Sequence, residues 1–335
     1  MTKILYLGNQ LSHKGLNKTT IDTLSELLVQ EGFELKTASS ISNPFFRLLD
    51  MLLAVIKHRY IDYVLIDTYS TTAFWYAFLV SQLARSLKIK YIPILHGGNL
   101  PYRIKKNPKL ARLLFDNAYV NIAPSNYLKQ EFEKQGFQNL QYIPNTIEIA
   151  NYAFRVRNNL KPKLLWVRAF ASIYNPKMTI DVLKGLQKKY PNAELCMVGP
   201  DKDGTLAQTK DYANQLGVTV TFTGGLSKDE WIRLSENYDC FLNTTNFDNT
   251  PVSVIEAMAL GLPVISTRVG GIPFLLEHQK NAFLVDANDA SAMITAIEDL
   301  LQNPELSREI TFQARKKVES FDWQHLKHTW STLLR

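Results

Sequence analysis

Residues 238–286 read YDCFLNTTNFDNTPVSVIEAMALGLPVISTRVGGIPFLLEHQKNAFLVD, and the order of local signals within them decides the fold. A short apolar run ending at Leu242 predicts a strand, and the polar residues 243–249 predict the loop leaving its carboxyl end. Thr250 reads as an N-cap, its hydroxyl accepting from a first-turn amide. Pro251 suits the first helical position, where no amide hydrogen is needed. Gly261 tolerates the positive φ that ends a helix and Pro263 prevents resumption, so the helix is expected over 251–260. A second strand, 263–266, is short, apolar and β-branched. Gly270-Gly271 breaks it before Ile272-Pro273 opens another short helix.

Within this strand–helix–strand unit Glu256 is the one charge on a helix otherwise made of Val252, Val254, Ile255, Ala257, Met258, Ala259 and Leu260. A helix apolar nearly all round is buried, and a buried carboxylate must be paired or hydrogen-bonded. Asp248 lies eight residues earlier, just before the helix start. The free amides and positive macrodipole end there favour an anion. One reading has Glu256 paired with an Arg or Lys and Asp248 capping the turn. The other, which the coincidence with a phosphate-ready helix end favours, has a ligand that is anionic at the helix and hydroxyl-rich at the acids.

The string FDNTPVSVIEAMALGLPVISTRVGG resembles the E-x7-E region of retaining GT-B glycosyltransferases of glycosyltransferase family 4. Glu256 matches the second acid, and Asp248 stands where the first is usually Glu, one methylene shorter. The resemblance implies that Glu256 holds the ribose hydroxyls of a nucleotide and Asp248 the donor sugar. Asn249, Thr250, Pro251, Val252 and Ser253 would then face the sugar and the diphosphate.

A chain of 335 residues accommodates two domains of about 150 each. Hydrophobic content of 46% with 21% charged residues is that of a globular protein rather than a disordered one. The longest apolar runs, such as 51–56 and 73–80, are far shorter than the roughly 20 residues of a membrane span, and the N-terminus enters a strand at once, so neither span nor signal peptide is expected. Cys196 and Cys240 sit in separate strand-like runs without metal-ligand spacing and read as reduced, buried thiols of a cytoplasmic protein. Residues 1–150 carry 17 Lys and Arg against 11 Asp and Glu, so nearly all of the net charge of +7 belongs to the first half. Arg103, Lys105, Lys106, Lys109 and Arg112 cluster after His96-Gly97-Gly98, either as a solvated basic face or as an attraction for anionic substrates or an anionic membrane. No nucleic-acid-binding string is present, and nucleic acid is not expected as a partner.

From the amino end, KILYL (3–7) predicts a buried strand, the loop GNQLSHKG (8–15) follows, and a helical pattern runs from 18 to 31. That loop is not G-x-G-x-x-G, so a dinucleotide fingerprint is absent. By resemblance it approaches the donor diphosphate, with Gly15 the matching glycine. Strands at 34–37, 63–66 and 91–95 alternate with helices at 44–57 and 72–87, which predicts a parallel sheet covered on both faces. The unusually apolar helix 44–57 reads first as core, with contact to a membrane or lipid acceptor as the alternative. His96 directly follows a buried strand and precedes two glycines, at the strand end where open α/β sheets place ligands. By resemblance it faces the donor sugar. Asp67 lies on the same rim and reads first as a cap, with contact to an acceptor as the alternative. Residues 145–161 read as a linker.

In the second half Arg168 follows the strand 163–167 and Lys177 opens the next helix. Two cations near the Glu256 crevice are suited to neutralise a diphosphate leaving group. Gly199, Gly224 and Gly225 end strands on one side, and TFTGGLSKDEW looks like the family's base-packing segment. The resemblance implies an α/β GT-B architecture: an acceptor-binding Rossmann-like domain (1–150), a nucleotide-sugar-binding one (151–320) facing it across a cleft, and a C-terminal helix (321–335) returning to the first. The implied activity moves a sugar from a nucleotide-sugar donor to a glycan or lipid-linked acceptor with retention of configuration. No metal or other cofactor is expected, and no D-x-D string is read as a metal site. The setting is the cytoplasm, with the inner face of the cell membrane as an accessible surface. The rival readings are a sugar-nucleotide epimerase of the same fold and a catalytically silent sugar-nucleotide-binding protein.

Overall fold

The computed structural model describes residues 1–10 and 19–335. It divides into two units, Met1–Thr146 with Trp323–Arg335, and Ile147–Asp322. The first contains the parallel strands β1 (Lys3–Leu7), β2 (Glu34–Ala38), β3 (Tyr63–Thr68), β4 (Lys90–Leu95), β5 (Asn121–Ala123) and β6 (Leu140–Tyr142), in the order β2-β1-β3-β4-β5-β6. They are joined through α1 (Thr20–Gln30), α2 (Pro44–Lys57), α3 (Ala73–Ser86), α4 (Leu100–Lys106), α5 (Pro108–Phe115) and α6 (Asn126–Lys134). Leu5, Leu7, Val64 and Ile66 point to the core shared with α2 to α6, while Ile4, Tyr6, Leu65 and Ile92 point to the opposite one. Both faces are covered, which is why these strands are apolar without alternation.

In the second unit β7 (Lys163–Val167), β8 (Glu194–Val198), β9 (Thr221–Gly224), β10 (Cys240–Asn243), β11 (Val264–Thr267) and β12 (Phe283–Val285) form a parallel sheet ordered β12-β11-β10-β7-β8-β9. Around it lie α7 (Pro176–Leu186), α8 (Thr205–Leu216), α9 (Lys228–Ser235), α10 (Val252–Ala259), α11 (Ile272–Leu275), α12 (Ala290–Gln302) and α13 (Pro304–Glu319). The final helix, α14 (Trp323–Leu334), belongs to the first unit, where Trp323, Leu326, Trp330 and Leu334 pack with Ile21, Leu24 and Leu28 of α1. Each sheet is doubly wound. Strand order reverses between β1 and β3 in the first unit and between β7 and β10 in the second, and ligands of such sheets bind at the carboxyl ends beside these switch points.

Three expectations change. Helix α2 is not a core helix: Met51 and Val55 are buried, but Phe45, Phe46, Leu49, Leu53 and Ile56 are exposed. Residues 145–161 are not a free linker, because from Ile147 onward they belong to the second unit. Arg157 is buried and donates to the carbonyls of Tyr238 (3.0 Å), Leu260 (3.1 Å) and Gly261 (2.9 Å). Burial lowers its pKa to about 10, opposed by Asp239. Helix α10 starts one residue later than expected, with Pro251 extended at the N-cap and no side chain capping it. Cys196 and Cys240 are buried free thiols, and burial pushes Cys240 up to about 12. Among the described residues no helix is long and apolar enough to cross a membrane.

Candidate functional site

The switch point of the second sheet gathers the residues that follow β7 and β10. Arg168 leaves β7 and its guanidinium forms an ion pair with the Asp248 carboxylate, in the loop after β10. The guanidinium lies 4.3 Å from the Tyr174 ring centroid, a cation–π contact. Burial lowers the Arg168 pKa, against the opposing influence of Tyr174, and Nε has no hydrogen-bond partner among the described residues. A buried donor left open at a strand end is a position where a ligand oxygen gains a full hydrogen bond.

Glycines fix this backbone. Gly199 has φ +151°, and a Cβ there would overlap the Arg168 carbonyl, so β8 can approach the β7 end only with glycine. Gly270 and Gly271 lie against the carbonyls of Asp248 and Asn249, and the Gly271 amide donates to Asp248 O at 2.8 Å. The paired glycines thus hold the acid-bearing loop as well as breaking the strand. Gly224 accepts from the Gly199 amide at 2.8 Å.

The loop delivers the chain to α10. Asn249 donates its amide to Asp248 Oδ1 (2.8 Å), Thr250 and Pro251 follow, and Val252 and Ser253 open the helix without a side-chain cap. Ser253 Oγ is buried without a hydrogen-bond partner among the described residues. Glu256, one turn on, is 5% exposed and is held from two sides. The Tyr152 hydroxyl donates to Oε1 at 2.7 Å, and Lys228 Nζ, from the first turn of α9, lies 3.0 Å from the same oxygen. Burial and the Glu256 carboxylate together push the Tyr152 phenol well above its ordinary range. Tyr152 and Lys228 were not picked out from sequence. Lys228 lies inside the quoted TFTGGLSKDEW, whereas Tyr152 carries no local signal.

Lys177 occupies the first turn of α7, as its sequence position implies, but it is exposed. Its ammonium lies 5.8 Å from the Tyr212 ring centroid, and among the described residues it makes no ion pair with Asp248 or Glu256. The chain does contain one D-x-D spacing, Asp201-Lys202-Asp203, and both carboxylates are engaged locally. Asp201 accepts from the Gly204 and Leu206 amides, and Asp203 from the Ser172 amide and hydroxyl.

A second cluster stands at the switch point of the first sheet. Asp67 does not cap a turn: buried at the end of β3, it accepts from the Tyr6 hydroxyl (2.8 Å) and meets His96 Nε2 (2.8 Å). His96 follows β4 and stacks on Tyr69, with ring centroids 5.3 Å apart. A carboxylate partner fixes the imidazole proton on Nε2 and leaves Nδ1 as the acceptor of the neutral ring. Burial, with Asp67, raises the pKa values of Tyr6 and Tyr69 well above ordinary tyrosine. A Cβ on Gly8 would overlap the Asp67 carboxylate, so β1 can run beside this acid only as glycine. Gly15 lies outside the described residues.

Residues 151–317 match the family described as glycosyl transferases group 1. The second unit belongs to the group 1 glycosyl transferases. An uncharacterized glycosyltransferase of Haemophilus influenzae is 25% identical over 305 residues, 89% of this chain and 83% of that protein. Sulfoquinovosyl transferase SQD2 of Arabidopsis thaliana is 30% identical over 149 residues, 44% of this chain. The match spans only 28% of that longer protein. The whole chain superposes on the crystal structure of Anabaena Alr3699/HepE in complex with UDP with a TM-score of 0.77 at 17% identity, covering 99% of both chains. The doubly wound pair of sheets is therefore the GT-B glycosyltransferase fold.

Proposed function

We propose that this chain is a group 1 glycosyl transferase that moves a sugar from a nucleotide-sugar donor to a glycan or lipid-linked acceptor, with retention of anomeric configuration and without a divalent metal. The observation that carries the reading is the switch point of the second sheet. There a half-buried Arg168 whose buried Nε is open, an uncapped helix start and the paired carboxylate Glu256 lie at the ends of neighbouring strands. The SQD2 relative is itself named a sugar transferase and HepE was crystallised with UDP, both in keeping with a nucleoside diphosphate here.

In this reading the diphosphate sits at the start of α10, with Val252 and Ser253 amides and the helix dipole facing it. Arg168 would exchange Asp248 for the phosphate oxygens and stabilise the charge that grows as the nucleoside diphosphate leaves. Asp248, released, would accept from sugar hydroxyls, and Glu256 from the two ribose hydroxyls. His96, held by Asp67, would offer Nδ1 as an acceptor to a sugar hydroxyl. Arg168 and the helix supply positive charge where a metal would otherwise be needed, while Asp201 accepts from the Gly204 and Leu206 amides and Asp203 from the Thr205 amide at the start of α8. The setting in this reading is the cytoplasm, with the inner face of the cell membrane as an accessible surface. No protein nucleophile is assigned: the acceptor attacks from the side of the leaving group and a donor phosphate takes its proton.

The test is incubation with a panel of nucleotide sugars, following thermal stabilisation, slow donor hydrolysis and, with an acceptor, the anomeric proton coupling of the product. Stabilisation by one nucleoside diphosphate and a product of the donor's configuration are expected. An inverted product, or activity lost in EDTA and restored by manganese, overturns the mechanism. An epimerised donor without transfer supports the epimerase instead.

A further inference from the structure

We propose that the outer face of helices α2 to α5 is a docking surface for an anionic lipid bilayer. The inference deepens the reading above and rests on it for the acceptor, which it narrows to a lipid-linked one.

Helix α2 has two apolar sides. Met51 and Val55 face the sheet, while Phe46, Leu49, Leu53 and Ile56, at three- and four-residue spacing, form a stripe on the outer side with Phe45 at its start. Exposures of 57% for Phe46, 62% for Leu53 and 52% for Ile56 show side chains covered by nothing in the unit. The stripe is not isolated. α3 packs between α2 and α5 on the same face of the sheet and turns Trp75 and Leu79 outward, one helical turn apart. Tyr102 of α4 and Leu113 of α5 are exposed as well. An apolar area spread over several neighbouring helices marks an interaction surface rather than scattered exposure.

Its charge identifies the partner. Helices α2 to α5 together carry eight Lys and Arg and a single acid, Asp50. Arg47 and Arg103 are spent on the carbonyls of Ile41 and Ser70, and Arg112 pairs with Asp116 just beyond α5. Lys57, Arg85, Lys105, Lys106 and Lys109, carried by the same four helices as the apolar side chains, remain without an ion pair among the described residues. A second copy meeting this face across a two-fold axis would set basic residues against basic residues. An anionic bilayer offers an apolar interior and a negative surface together, with aromatic side chains such as Trp75 and Tyr102 at home in its headgroup region.

The orientation also fits a lipid-linked acceptor. α2 leaves the carboxyl end of β2, so its phenylalanines start on the edge of the sheet that holds Asp67 and His96. A lipid chain could stay in the bilayer while its headgroup reached this rim.

Sedimentation of the full chain with phosphatidylcholine vesicles, with and without phosphatidylglycerol, tests the inference at low and high salt. Binding should be at least about tenfold stronger on anionic vesicles and fall in high salt. Leu53→Ser should weaken it about tenfold by removing one inserted side chain. Lys105→Glu/Lys106→Glu should weaken it at least about thirtyfold. Absence of binding, equal binding to both vesicle types, or variants that bind like the wild type would overturn the proposal. So would a concentration-dependent dimer abolished by Leu53→Ser, which would give the face to a second copy. UDP titration of the same preparations separates the two readings: a chain that binds UDP but not vesicles sinks only the membrane surface, and one that binds vesicles but no nucleotide sinks only the donor assignment.

Discussion

Replacing Glu256 by Gln separates a ligand-holding acid from a structural one, because the structure fixes what the change does to the empty protein. The amide oxygen of the substituted side chain can still accept from Tyr152, so the 2.7 Å hydrogen bond is retained. What is lost is the ion pair with Lys228, whose side chain is 50% exposed. Exposed pairs contribute about 0.2 to 1 kcal/mol, so the thermal midpoint should fall by no more than a few degrees. A nucleotide whose two ribose hydroxyls both donate to this group would lose a charged acceptor and face an amide NH2 in its place. Hydrogen bonds to charged groups are worth about 1.5 to 3 kcal/mol, which is a rise in Kd of about ten- to a hundredfold. Isothermal titration of UDP into both proteins, with thermal melts alongside, measures the two effects separately. A folded Glu256→Gln protein with unchanged UDP affinity would show that Tyr152 and Lys228 are the only partners Glu256 serves, and the ribose assignment would be wrong.

Arg168→Ala should lower kcat by about 10²- to 10³-fold with a smaller change in UDP affinity, since the leaving-group charge grows toward the transition state; kinetics that change KM alone would refute this role. Gly199→Ala should destabilise the second unit by more than about 1 kcal/mol, because a Cβ meets the Arg168 carbonyl and φ is +151°; a denaturation midpoint equal to wild type would contradict it. Lys280 and Lys317 hold the Glu277 carboxyl below its ordinary pKa. The stability it contributes is present above the unfolded value and is lost as pH falls through the folded one. Glu277→Gln should therefore narrow the stability difference between pH 6 and pH 4, about the range spanning the ordinary glutamate value, in chemical-denaturation curves; an unchanged acid slope would refute the pairing.

The alternation of strands and helices was legible because both sheets are parallel and their central strands buried, so these strands announce themselves as apolar runs and the turns by glycine or a polar loop. The Asp248 loop and α10 were legible for the same reason. Other features depend on tertiary placement. Tyr152 meets Glu256 across 104 residues, a pairing that only tertiary packing brings about. Arg157 looks like an ordinary linker cation until the residues before β10 and those after α10 surround it with carbonyls. The apolar pattern of α2 says that much of its circumference avoids water but not what covers it. Thr250 has the chemistry of an N-cap, yet the extended backbone of Pro251 takes that place. Lys177 was placed correctly on its helix, but its side chain rests near Tyr212 rather than on the acids.

The return of α14 to the first unit bears on how the chain is made. Trp323, Leu326, Trp330 and Leu334 complete the core that covers Tyr6 and Leu65, so during synthesis β1 emerges more than 300 residues before the last helix that covers it. The second unit, continuous from Ile147 to Asp322, is fully translated while that face still waits. Its folding can precede completion of the unit that begins the chain, and the interval is when the uncovered sheet is most exposed to aggregation.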